Sequence, residues 1–143
     1  MVFARLHIVL FCFCAQLITA QTSQTGFGGL EFGTSPKQHK NLSLEIWEGE
    51  TALYSLTREL TVAANKVRDV RLTFTKNKLS VISGVAGKKG REAIIAELQD
   101  NFGKLRFSKV KNFEEWQNNK VKIVIEPAHA DNIMISVYNK TTG

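Results

Sequence analysis

From residue 41 onward apolar and polar positions alternate with a period of two, the spacing of a strand with one face buried. Leu42, Leu44 and Ile46 fall on one face and Ser43, Glu45 and Trp47 on the other, until Glu48-Gly49-Glu50 turns the chain. Val70, Leu72 and Phe74 alternate with Arg71, Thr73 and Thr75, and Lys76-Asn77-Lys78 leads into a second strand over 79–82, which predicts a hairpin. A closing hairpin follows from Val121, Ile123 and Ile125, then Ile133, Ile135 and Val137, separated by Glu126-Pro127 and residues 128–132.

Other segments are less regular. Over 51–67 both periods fit: Leu53, Leu56, Leu60 and Val67 have helical spacing, whereas Tyr54, Leu56, Leu60, Val62 and Ala64 have period two. Threonines at 51, 57 and 61, with no capping box, favour strand. Ile94, Ala96 and Leu98 predict a strand over 91–98, with a turn at Asp100-Asn101-Phe102-Gly103 and a strand over 105–110. Residues 83–90 read as a mobile loop and 113–119 as a loop with one helical turn, anchored by Phe113 and Trp116. The predicted fold is all-β, a small antiparallel sandwich or barrel of seven to eight strands.

The chain ahead of this pattern differs in kind. Arg5 supplies the only formal charge in residues 1–20, 8–15 are an apolar run, and Leu17-Ile18-Thr19-Ala20 ends it. This predicts a secretory signal peptide cleaved after Ala20. The apolar run stops at Gln16, short of the roughly 18–20 residues that a membrane span needs. Residues 21–40, rich in Gly, Thr, Ser and Gln, are expected to form a flexible N-terminal arm, and 41–143 a single β domain.

Composition narrows the classes further. With 143 residues, 43% hydrophobic and 22% charged, the chain is neither disordered nor a repeat array. Its two cysteines, Cys12 and Cys14, both precede the expected cleavage site, so no disulfide scaffold and no cysteine metal or redox site is expected beyond it. About 120 residues suffice for a self-sustaining core. Residues 58–122 hold 15 basic and 7 acidic side chains, with a basic loop at Lys88 and Lys89. Polyanion binding is one explanation. Solubility and edge protection by lysine is the preferred one, because the bases of 104–111 change face along a strand. Nucleic acid is therefore not expected as a partner.

Catalytic signals are sparse. Gly87-Lys88 lacks the earlier glycine and the following Ser or Thr of a phosphate-binding loop. His129 beside Asp131 reads as a solvated turn, His39 lies in the expected arm, and Glu114-Glu115 diverge as neighbours in either regular structure. No enzyme activity, cofactor or metal is expected. Sequons at Asn41 and Asn139 are candidate glycosylation sites. Trp47, Tyr54, Trp116, Lys88 and Lys89 are candidate ligand or surface contacts.

Ile94-Ile95-Ala96-Glu97-Leu98-Gln99-Asp100-Asn101, then Val121-Lys122-Ile123-Val124-Ile125 and Ile133-Met134-Ile135-Ser136-Val137-Tyr138, resemble the insect multiprotein-bridging-factor-two and pathogen-response (REPAT) secreted proteins. In those an Ile-rich strand leads into an Asp turn and a closing strand pair ends near a tyrosine. The resemblance implies a small, non-enzymatic extracellular β-protein induced by infection, stress or reproductive state. Two functions remain open: an interaction protein acting on another protein or a surface, and a carrier of a small apolar molecule such as a hormone or lipid.

Overall fold

The alternating segments pair into one antiparallel sheet. The structure, a computed structural model, describes residues 26–141. The expected leader, its cleavage site and residues 21–25 of the expected arm lie outside the described residues.

A short hairpin of β1 (Gly26–Phe27) and β2 (Leu30–Glu31) comes first. Then follow β3 (Leu42–Glu48), β4 (Thr51–Leu56), β5 (Leu60–Val62), β6 (Asn65–Thr75) and β7 (Lys78–Gly87). Helix α1 (Arg91–Phe102) leads to β8 (Arg106–Val110), β9 (Phe113–Gln117), β10 (Val121–Pro127) and β11 (Asn132–Asn139). The strand order is β3-β4-β6-β7-β11-β10-β9-β8, with β5 paired to β6. The all-β antiparallel class expected from the alternation is the class observed.

The topology is two meanders joined at the β7–β11 pair. After β7 the chain has reached the middle of the sheet, and α1 carries it across one face to the far edge, from which β8 to β11 return strand by strand. That crossing buries a face. Ile94, Ile95, Leu98 and Phe102 of α1 join Ile82 and Ala86 of β7, Ile133, Ile135 and Val137 of β11, and Val121, Ile123 and Ile125 of β10 in one core. The central strands thus follow the expected pattern, each placing every second residue under the helix.

Several expectations are corrected. Residues 91–98 are helix, not strand. Ile94, Leu98 and Phe102 recur at four-residue spacing, Ile95 joins them, and Ala96 is exposed. The Asp100–Gly103 tetrapeptide is the last turn and its stop: Gly103 adopts φ +88 and its N–H donates to the Gln99 carbonyl. Residues 83–87 of the expected mobile loop are the end of β7, and Lys88–Gly90 form a 3-10 turn. Gly84 is needed there because a Cβ would stand 2.5 Å from Val67 Cγ1, where the bulged β6 presses on β7. The expected aromatic loop at 113–119 contains β9, which pairs with β8 and β10 on its two sides. The undecided stretch 51–67 is strand, as the threonines suggested, divided into β4, β5 and the start of β6.

The arm is corrected too, for its described part. Phe27 and Leu30 are buried in the common core, and Phe32 packs on Phe102 with ring centroids 6.2 Å apart. Backbone bonds from Gly33 N–H to the Leu79 carbonyl (2.9 Å) and from Leu79 N–H to the Thr34 carbonyl (2.8 Å) tie it to the start of β7.

Candidate functional site

The β3–β4 hairpin builds the most distinctive surface. Gly49 (φ +57) takes the first position of the two-residue turn, where tight hairpins need a positive φ. A bulge between Leu44 and Ile46 then changes the parity of β3. Leu42 and Leu44 pair with Leu56 and Tyr54, but after the extra residue it is Trp47, opposite Ala52, that shares their face. Ile46 pairs with Leu53 and faces the other way. The expected grouping of Leu42, Leu44 and Ile46 against Trp47 is therefore corrected by one inserted residue.

Trp47 lies beyond the cover of α1 and is 76% exposed. Its Nε1–H donates to the Gly49 carbonyl at 3.0 Å, which fixes the indole beside the turn. With Pro36, Leu44, Ala52, Tyr54 and Phe74 it lines an open, mainly apolar cleft of about 530 Å³, rimmed by Glu50 and Lys76. Buried Phe74 is the floor, and Tyr54 meets it edge to face with centroids 5.4 Å apart at 83°. Behind the floor, His39 packs on Phe74 with ring centroids 5.9 Å apart and planes tilted by 59°. The Thr34 hydroxyl gives its single proton to the Glu31 carbonyl, so the bond at 2.7 Å between Thr34 Oγ1 and His39 Nε2 is donated by the imidazole.

Burial first, and then the positive charge of Arg58, hold His39 below its usual pKa. The unfolded chain therefore binds more protons than the folded one as pH falls through the ordinary histidine value of about 6.5. Stability from the neutral ring is fully present above that value and is lost as pH falls through the depressed folded pKa. We expect the melting temperature to drop between about pH 7.5 and about pH 5.5, with His39→Gln flattening the slope. An unchanged slope in the variant would remove His39 as its source.

The other candidates fall elsewhere. Trp116 on β9 sits near the opposite edge, with Phe107 of β8 at 4.8 Å between centroids and the Arg91 guanidinium 5.9 Å from its ring centre. Arg91 is anchored by Glu114, to which its Nε donates at 2.9 Å and its second terminal nitrogen also donates. This is an aromatic and ionic clamp between α1 and β9, with the Trp116 Nε1–H buried and unpartnered among the described residues. Lys88 and Lys89 are exposed on the 3-10 turn after β7, whereas the Trp47 cleft borders the turn before β7. Asn41 is exposed at the start of β3, and Asn139 at the end of β11 accepts from the Thr141 hydroxyl at 2.7 Å. The candidate contacts thus separate: Trp47 and Tyr54 are brought together, and Trp116, Lys88 and Lys89 are not.

Four basic side chains, Lys66, Arg71, Arg91 and Lys122, form ion pairs among the described residues. Arg71 pairs with Glu45 (3.1 Å), Lys66 with Glu59 (3.3 Å) and Lys122 with Glu115 (3.4 Å). A polar cleft of about 440 Å³ sets Arg58, Arg68 and Arg71 among Glu45, Glu59 and Asp69. His129 is exposed in the β10–β11 turn, and its carbonyl accepts from Asn132 Nδ2 at 2.9 Å. Among the described residues no group of three or more His, Cys, Asp or Glu could hold a metal ion, and no helix is long and apolar enough to cross a membrane.

Sequence reasoning missed Leu44, Phe74 and Pro36 as cleft residues. The alternation marked the first two as core, which holds for Phe74, buried as the cleft floor, whereas Leu44 on β3, outside the shelter of α1, is exposed as a cleft wall. No family model, no curated protein and no solved structure matches the chain.

Proposed function

We propose that the protein is a secreted, non-enzymatic interaction protein that recognises another macromolecule through β3 and the Trp47 cleft. The observation that carries this is Trp47 itself, a large ring 76% exposed yet held by the Gly49 carbonyl. An exposed indole fixed before binding loses little entropy on association, and tryptophan with an apolar pocket beside it is the usual composition of an interface hot spot. The outer edge of β3, without a strand partner among the described residues, is one to which an extended segment could pair. The leader-like residues 1–20, the sequons and the resemblance to the multiprotein-bridging-factor-two and pathogen-response proteins support an extracellular setting.

The carrier reading has one observation in its favour. The cleft volume of about 530 Å³ and its aromatic lining suit a small apolar ligand. Against it, the cleft opens to solvent, and the sheet face under α1 is filled by Val, Ile, Leu and Phe side chains.

One experiment separates the two. The chain has two tryptophans, so Trp116→Phe leaves Trp47 as the only indole reporter. Titration with sterols and fatty acids should leave its emission unchanged. A photo-cross-linker at Leu44 should trap a macromolecule from extracellular fluid, whereas one at exposed Glu126 should not. Trp47→Ala should weaken that capture at least about thirtyfold, the scale of a hot-spot residue. A saturable blue shift with a lipid would favour the carrier instead, and capture equal at the two sites would sink the interaction reading.

A further inference from the structure

We propose that copies of this chain associate edge to edge, β3 of one copy pairing antiparallel with β8 of the next through an acidic edge and a basic edge. The two strands are the ends of the main sheet, so each leaves one row of backbone groups without a strand partner among the described residues. Each neighbouring pair in the path is antiparallel, and the path from β3 to β8 contains eight strands. An even number sends the two edges in opposite directions. A second copy displaced along the sheet therefore offers β8 antiparallel to β3, with both helix-covered faces on the same side.

The side chains on the two edges are complementary. Leu44, Ile46 and Trp47 of β3 and Phe107 and Val110 of β8 are exposed large apolar residues. Residues 41–57 contain Glu45, Glu48 and Glu50 and no base, whereas 101–112 contain Lys104, Arg106, Lys109 and Lys111 and no acid. Glu48 and Arg106 form no ion pair among the described residues. The faces agree as well. Trp47, opposite Ala52, and Phe107, opposite Trp116, lie on the core side, and Glu48, opposite Thr51, and Arg106, opposite Gln117, lie on the outer side. Setting Phe107 against Trp47 places Arg106 against Glu48, so one register satisfies both faces.

Symmetric pairings are disfavoured by the same charges. A β3–β3 contact brings together two strands whose only charges are Glu45 and Glu48, and a β8–β8 contact two strands whose only charges are Arg106 and Lys109. Charged edges ordinarily keep sheets apart. Here each edge repels its like and matches its opposite, which makes the contact heterologous and leaves a free edge at each end of any assembly.

The inference rests on the preceding reading only in taking β3 as a contact strand. Capture from Leu44 can be repeated on Arg106→Glu, which keeps β3 and its cleft, so either idea can fail without the other. Sedimentation velocity of the secreted, full-length product from about 1 to about 100 μM should show mass rising with concentration, and the rise should shrink in high salt. Glu48→Arg and Arg106→Glu, both at exposed positions, should each weaken association about tenfold or more with unchanged melting. An equimolar mixture of the two variants should recover it, because each altered edge then meets its opposite. A monomer throughout, indifference to Arg106→Glu, or no recovery in the mixture would overturn the proposal.

Discussion

Phe27→Ala will destabilise the protein by about 3–5 kcal/mol, the cost of emptying a fully buried aromatic site. Phe27 is 1% exposed and belongs to the same core as the central strands. Its hairpin lies against β5: at Gly28 an added Cβ would stand 3.1 Å from the Leu60 side chain. The hairpin continues into the backbone bonds between 33–34 and Leu79 and into the Phe32–Phe102 contact, so a void at Phe27 cannot close by letting the segment swing away without losing those as well. Set against a typical total of 5–15 kcal/mol for a domain, this is a large fraction. Urea denaturation of Phe27→Ala beside Phe107→Ala, whose ring is half exposed, provides the comparison. A loss at Phe27 no larger than at Phe107 would restore the flexible-arm expectation for 26–40.

The second large effect separates helix from strand at residues 91–98. In a strand Ile94, Ala96 and Leu98 would share the inner face and Ile95 would point to solvent. In α1 the inner set is Ile94, Ile95, Leu98 and Phe102, and Ala96 faces water. Ile95→Ala should therefore cost about 2–5 kcal/mol, and Ala96→Glu should stay within about 0.5 kcal/mol of the parent. The opposite ranking in chemical denaturation would reinstate the strand. The Glu97 carboxylate, which accepts the Ala63 N–H at the β5–β6 turn, ties the same helix to a turn whose two alanines both have positive φ, 48 and 61°.

Where alternation was long and uninterrupted, the residues themselves determined the element and its buried face. Val121, Ile123 and Ile125, or Ile133, Ile135 and Val137, leave a strand no other way to hide its apolar side, and they lie under α1 as their spacing requires. Residues 91–98 did not have that property. Ile94 and Leu98 satisfy the helical and the extended period at once, the β-branched pair Ile94-Ile95 argues for strand, and the signal on the other side was Gly103 after Phe102. What settled the choice was the need to cross from mid-sheet to the far edge while covering an apolar face, and that need exists only once β7 and β11 have paired.

The candidate site depended on tertiary structure more heavily still. An aromatic residue at 47 was visible from the start, but its face was not, because a bulge inserts one residue and reverses every later position on the strand, while nothing in Leu44-Glu45-Ile46 marks it. The acidic stretch near Glu48 and the basic stretch near Arg106 were equally plain in the chain. Their standing as the two end strands of one sheet was not, since the halves of the sheet are joined by β7–β11 pairs 45 to 57 positions apart, where local spacing carries no information about which strands become neighbours.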